Sequence, residues 1–189
     1  MRFSLVSLLF IFLLIPAIPQ ALGAQQETVI FLVRHAERAD EGAMDPQLAM
    51  DPLMTEDPPL SEVGRARASL LSQMLRDAGV THIHSTDYRR TRETAQPTSA
   101  AAGVDVASYD PSNLDAFAAA LRSIPGRHLV VGHSNTTPSL VKALGGEAGL
   151  PIESLEYDRL YLVTVEEGGV RTVLLRFGES FIGSGPSEL

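Results

Sequence analysis

Two runs of β-forming residues, each ending in a histidine, constrain this chain most. Val29-Ile30-Phe31-Leu32-Val33 leads into Arg34-His35-Ala36-Glu37, and His128-Leu129-Val130-Val131 leads into Gly132-His133-Ser134-Asn135. Neither run alternates polar with apolar residues. Strands of that kind are covered on both faces, as at the centre of a parallel sheet flanked by helices. In open α/β sheets, ligands bind just beyond the carboxyl ends of such strands. Both histidines therefore arrive where a ligand sits, one of them beside an arginine.

The remaining pattern supports an α/β reading. Residues 28–33 read as the first strand, followed by a polar, Met- and Pro-rich loop over 39–60. Ser61 is expected to cap a helix running to about Ala78, with Glu62 in its first turn and Val63, Ala66, Leu70, Leu71, Met74, Leu75 and Ala78 on one face. Gly79 stops it. A short strand over 81–85 leads through Thr86-Asp87 into a helix over 88–102, which Pro97 is expected to bend or interrupt. A short strand over 105–109, a helix over 113–123, a strand over 129–131 and a helix over 137–144 follow. Strands over 159–165 and 170–176, joined through Glu166-Glu167-Gly168-Gly169, form a closing hairpin. The order predicts a three-layer α/β/α sandwich with a mainly parallel sheet and a C-terminal antiparallel hairpin. The chain has 189 residues, with no internal repeat or dividing linker, so one domain is expected.

The first residues have a different character. Arg2 precedes an almost wholly apolar stretch over 3–15, then Pro16, Pro19 and small residues, which is the order of a secretory signal peptide. The apolar core is shorter than the roughly 20 residues of a spanning helix. Ala21 and Gly23 suit cleavage next to Ala24. The expected organisation is a signal peptide over 1–24 and one domain over 25–189, periplasmic or secreted, with no stable membrane span after cleavage. The chain has no cysteine, which excludes a lipoprotein anchor, disulfides and thiolate metal sites. Its formal net charge is −8. Such a surface repels nucleic acid, whose binding depends on Lys and Arg neutralising phosphates. A small anion can still bind where positive charge is concentrated, as it is at Arg89, Arg90 and Arg92.

Three segments, taken in order, carry a family resemblance: Arg34-His35-Ala36-Glu37, the stretch from Ser85-Thr86-Asp87-Tyr88 through Arg89-Arg90-Thr91-Arg92-Glu93-Thr94-Ala95, and Gly132-His133-Ser134-Asn135. Together with Pro58-Pro59-Leu60-Ser61-Glu62-Val63-Gly64 they resemble the histidine phosphatase superfamily, the phosphoglycerate mutase-like proteins. The resemblance implies catalytic roles for His35, Arg34, Arg90 and His133, with Arg34, Arg90 and His133 binding the phosphate. Arg90 is selected over its neighbours because it stands four residues before the Thr-Ala pair. His35 would be the nucleophile of a phosphoric monoester hydrolase using no metal and no cofactor. The implied partner is a phosphorylated small molecule, such as an envelope sugar phosphate. The residue chemistry agrees, since arginine forks match phosphate oxygens bidentately and a neutral imidazole can attack phosphorus.

One part of the family pattern is missing. Members usually supply a Glu or Asp to protonate the leaving oxygen, either after the second arginine or beside the second histidine, where this chain has Ser134. Glu37, Asp87 and Asp158 are the candidates. The omission leaves open a non-catalytic phosphate-binding or interaction domain on the same fold. His82 and His84 share a strand face, as zinc ligands can, but no third ligand is evident nearby. Gly132-His133-Ser134-Asn135 imitates a hydrolase nucleophile elbow, yet no histidine follows His133 to complete a Ser-acid-His order.

Overall fold

Strand β1 (Thr28–Arg34) lies between two partners because its side chains are apolar on both faces. The computed structural model describes residues 27–41, 54 and 56–183. The expected signal segment and most of the loop over 39–60 fall outside those residues. Among the described residues β1 is followed by α1 (Glu62–Met74), β2 (His82–Ser85), α2 (Arg89–Ala102), β3 (Val106–Ser108) and α3 (Leu114–Ser123). Then come β4 (Gly126–Gly132), α4 (Thr136–Ala143), β5 (Arg159–Glu166) and β6 (Gly169–Arg176). The sheet order is β3-β2-β4-β1-β5-β6. The first four strands in that order are parallel, and β5 and β6 run antiparallel.

The period-2 alternation of the strands builds two cores. Ile30, Leu32, Val130, Tyr161 and Val163 face α3 and α4 and pack with Leu121, Leu140, Val141 and Leu144. Val33, Leu129, Val131, Ile83 and Leu160 face the other way, onto Leu71, Leu75 and Ala95 of the α1–α2 layer. The result is the three-layer sandwich with a closing antiparallel hairpin. It also sends the chain leaving β1 and the chain leaving β4 to opposite faces, opening a crevice between those two strand ends.

Two local expectations change. The helix capped by Ser61, whose side chain accepts from the Gly64 N–H, ends at Met74 and not near Ala78. Beyond Leu75 the backbone turns, with the Ala78 N–H on the Leu75 carbonyl and Gly79 at φ 65°. The apolar periodicity outlasts the helix because Leu75 and Ala78 still pack into the core after the turn. α2 runs unbroken through Pro97. Proline removes only the bond to the carbonyl of Glu93. Burial of Ala95 and Thr98, and a hydrogen bond from the Ser72 hydroxyl to the Pro97 carbonyl at 3.0 Å, tie the helix to α1 on either side of that gap.

His82 and His84 acquire a third neighbour, His128, on the α3 face. The rings stack, with centroids 4.5 Å apart for His82–His128 and 5.4 Å for His84–His128. His128 Nε2 donates to the Ile124 carbonyl at 2.9 Å, so its Nδ1 accepts from His84 Nε2 at 3.1 Å. Both rings are thus held neutral in fixed tautomers. Among the described residues no group of three His, Asp or Glu side chains is arranged to hold a metal ion. Burial, then the neighbouring His128 and His82, push the His84 imidazole down to about 4 from 6.5. Between those values the unfolded chain binds a proton that the folded one does not. The resulting stability is complete above pH 6.5 and is lost as pH falls towards 4. Thermal melts should therefore show His84→Gln losing less stability than the wild type over that window. Parallel pH curves for the two proteins would show that His84 is not the group responsible.

Candidate active site

The parallel register of β1 and β4 pairs Arg34 with Gly132, so His35 and His133 leave adjacent strands side by side. The His35 N–H donates to the Gly132 carbonyl at 2.8 Å, and the two imidazole centroids are 5.4 Å apart. Glycine is required at 132 by close approach. A Cβ there would lie 2.8 Å from the Tyr109 hydroxyl and 2.9 Å from the Thr136 hydroxyl. A second close approach occurs at Gly64, where a Cβ would stand 2.2 Å from the carbonyl oxygen of Glu37. That contact lets α1 rest directly against the loop following His35.

Neighbouring elements complete the site. β2 lies beside β4, and the turn after it starts α2 with Arg90 in the first turn. Thr94 locks this turn to the His35 loop, because its hydroxyl accepts from the Ala36 N–H at 3.0 Å and donates to the Arg90 carbonyl at 2.8 Å. Arg34, His35, Arg90 and His133 line one cavity of about 470 Å³, together with Arg38, Tyr88 and the Ser134–Thr136 turn that opens α4. Arg89 and Arg92 point into other company, paired with Glu93 and Asp87 and half exposed.

Hydrogen bonds fix both histidines. His35 Nδ1 donates to the Ala36 carbonyl at 2.8 Å, which leaves Nε2 as the ring's lone-pair atom. Burial pushes His35 down to about 2, with the Arg34, Arg90 and His133 charges acting in the same direction. The ring is neutral throughout the physiological range. The Thr91 hydroxyl gives its hydrogen to the Thr86 and Tyr88 carbonyls, so Thr86 Oγ1 donates to Thr91 and accepts from His133 Nε2 at 3.0 Å. Burial, followed by Arg90 and Arg34, pushes His133 down to about 4. A dianion placed among these groups would favour its protonated form again.

The two arginines are held by different partners. Arg34 donates through Nη1 to the Glu153 and Glu156 carbonyls at 3.0 and 3.1 Å and through Nη2 to the Tyr157 hydroxyl at 3.1 Å. Its guanidinium lies 3.9 Å over the Tyr157 ring, and that of Arg90 lies 4.3 Å over the Tyr88 ring. Asp57 faces Arg90 at 3.6 Å and accepts from the Arg89 N–H at 2.9 Å. The Nε atoms of both Arg34 and Arg90 are buried without a hydrogen-bond partner among the described residues. Buried donors are normally satisfied. Two arginines in one cavity wall concentrate the positive charge and the fork geometry that suit an oxyanion with several acceptor oxygens.

The three expected proton donors lie elsewhere. Glu37 is bound by Arg67 at 2.7 Å. Asp87 accepts from Ser108 at 2.7 Å on the surface. Asp158 is buried against Arg176 at 2.6 Å and accepts from the Phe181 N–H. Each is withdrawn from the cavity by a partner distant in sequence. Among the described residues none of the three lines the cavity, whose edge carries Asp57 against Arg90. Sequence reasoning passed over Arg38, Tyr88, Tyr157 and Asp57. Arg38 sits in the His35 loop and could have been found from its proximity, but nothing local marks Tyr157.

The sequence model of the Histidine phosphatase superfamily (branch 1) matches residues 30–111, a span containing Arg34, His35 and Arg90 but ending before His133. The probable phosphoglycerate mutase GpmB of Yersinia enterocolitica is 37% identical over 82 residues, covering 43% of this chain and 35% of the relative. The chain therefore spans about a third of the length of the curated relatives it matches. Among solved structures, the protein histidine phosphatase SixA complexed with tungstate superposes with a TM-score of 0.56 at 17% identity, covering 78% of this chain and 94% of that one. A mycobacterial glucosyl-3-phosphoglycerate phosphatase gives a TM-score of 0.54 at 18% identity, covering 82% of this chain and 100% of that one. At such identities the structural likeness is one of fold.

Proposed function

Since the chain belongs to the histidine phosphatase superfamily, we propose that it is a metal-independent phosphatase that hydrolyses a phosphomonoester through a phosphohistidine on His35. The observation that carries this reading is the convergence of Arg34, Arg90 and His133 on one cavity beside an imidazole whose Nε2 lone pair is free. A phosphomonoester carries about −1.5 to −2 charges near neutral pH and three acceptor oxygens, which Arg34, Arg90 and a protonated His133 would surround. His35 Nε2 attacks phosphorus, the P–N bond forms and the bond to the leaving oxygen breaks. Water then attacks the phosphohistidine, the P–N bond breaks, and the imidazole lone pair returns. Fixed cationic groups stabilise the charge that shifts in both steps.

Glu37, Asp87 and Asp158 lie outside the cavity wall and Asp57 at its edge is turned to Arg90, so esters with acidic leaving groups should react fastest, because their oxygen departs without a proton. The same reading puts the chain outside the cytoplasm, on the strength of the signal-peptide pattern over 1–24, with its apolar stretch over 3–15. The test is release of p-nitrophenol and phosphate from phosphorus-radiolabelled p-nitrophenyl phosphate in the presence of a chelator, with quenching in alkaline detergent to trap a phosphoryl label on the protein that survives alkali and is lost in acid. Turnover with a trapped label is expected. Binding of phosphate without turnover or label would replace this reading with the non-catalytic phosphate-binding domain.

A further inference from the structure

Among the described residues two cavities adjoin the one that holds His35, and their walls differ. On one side lies a cavity of about 310 Å³ that shares Tyr88 and Pro111 with the site and contains Asp87 and Asp110. The Asp110 carboxyl is held below its usual range by the Ser112 hydroxyl and N–H, so this wall is anionic and repels a charged ester. On the other side lies a cleft of about 650 Å³ that shares Arg38 with the site and has Tyr157 in its wall. The Tyr157 ring centroid is 5.9 Å from that of His35, which sets the cleft beside the reacting centre.

The chemistry of this cleft is mainly apolar. Val63, Leu155 and Ile182 line it together with Phe181, and the first three are 54%, 61% and 91% exposed. Large apolar side chains gathered at one exposed place mark a binding surface more often than scattered ones do. Most of the charges in its wall are engaged with one another, while Glu179 gives only its backbone carbonyl to Arg67. Glu37 takes both oxygens to Arg67 Nε at 2.8 and 3.0 Å, and Glu41 accepts from the Tyr157 hydroxyl and faces Arg38 at 3.5 Å. The cleft therefore offers area for hydrocarbon, and an anion-binding cavity at one end.

We propose that the substrate is a phosphomonoester whose alcohol part is an extended apolar group, seated in the cleft lined by Val63, Leu155, Phe181 and Ile182. This rests on the phosphatase reading for the phosphate end alone. A bare sugar phosphate would leave these side chains in water, so the apolar ester is favoured over the sugar phosphate that the family resemblance implies.

Binding separates this inference from catalysis. Methyl-, butyl- and hexylphosphonate, titrated calorimetrically into the full chain, cannot be hydrolysed and so report the cleft whether or not the protein turns over an ester. The dissociation constant is expected to fall by about two- to fourfold for each methylene added, in line with the burial of CH₂ groups. Leu155→Asp and Val63→Ser, both at exposed positions and checked for folding by circular dichroism, should each shrink the hexyl-to-methyl affinity ratio at least about threefold. A dissociation constant that does not change with chain length, or a ratio unaltered in both folded variants, overturns the apolar-substrate inference even if p-nitrophenyl phosphate is hydrolysed. Chain-length-dependent binding without any turnover upholds the cleft and overturns the phosphatase reading.

Discussion

Replacing His35 by asparagine is expected to lower kcat on p-nitrophenyl phosphate by at least about a thousandfold and to eliminate the trapped phosphoryl label. Asparagine is the informative choice because its amide nitrogen can still donate to the Ala36 carbonyl, as His35 Nδ1 does at 2.8 Å. Position 35 is 3% exposed, so a variant that emptied it would confuse lost chemistry with lost packing. The asparagine variant removes the Nε2 lone pair and little else. Arg34, Arg90 and His133 remain, so stabilisation of the protein by phosphate or tungstate in thermal melts should persist. Loss of turnover with anion binding retained assigns the nucleophile to His35. Retention of a tenth or more of the wild-type rate would rule out the covalent route through this residue.

The second large effect concerns stability and arises away from the reacting atoms. Glu156 is 3% exposed and binds Arg159 through both oxygens at 2.6 and 2.8 Å, and Arg176 at 2.6 Å. Its backbone carbonyl also receives Arg34 Nη1. Glu156→Ala leaves the buried Arg159 guanidinium without its countercharge, which costs about 3–5 kcal/mol and lowers Tm by about 6–20 °C for a domain of this size. Glu156→Gln keeps acceptor and donor atoms in place and should cost less.

Acid should erase the difference between Glu156→Ala and the wild type. Burial raises the Glu156 carboxyl, but the bonds from Arg159, the Glu153 N–H and Arg176 outweigh it and hold the group at about 2, against 4.5 for an ordinary Glu. A depressed carboxyl contributes stability that is present above pH 4.5 and is lost as pH falls towards 2. Melting curves from pH 7 downward check both points. A Tm for Glu156→Ala within about 1 °C of the wild type at pH 7 would mean that Arg159 needs no carboxylate.

Much of the site geometry was legible in the chain because it follows from short-range periodicity. Continuous apolar runs demand burial on both faces, burial makes β1 and β4 central, and parallel pairing of Arg34 with Gly132 places His35 beside His133. Arg90 follows because the strand next to β4 releases its chain at the same edge. The helix termini were less legible. Met74 ends α1 although the apolar spacing continues, since a turn can bury Leu75 and Ala78 as well as a helix can. Pro97 stays within α2 because contacts with α1, which no local pattern reveals, hold the helix across the missing hydrogen bond.

By itself the sequence determined the layered α/β architecture and the edge at which two histidines and two arginines emerge, because burial periodicity and β-propensity act over a few residues. The tertiary structure alone decided the company those residues keep. Glu37 is committed to Arg67, 30 residues away, and Asp158 to Arg176, 18 residues away, so neither serves the site. Tyr157 reaches Arg34 across 123 residues and stands in the wall of an apolar cleft. Long charged and aromatic side chains take whichever partner the folded backbone brings within about 3–4 Å. That choice depends on the relative placement of whole elements, which local sequence does not encode.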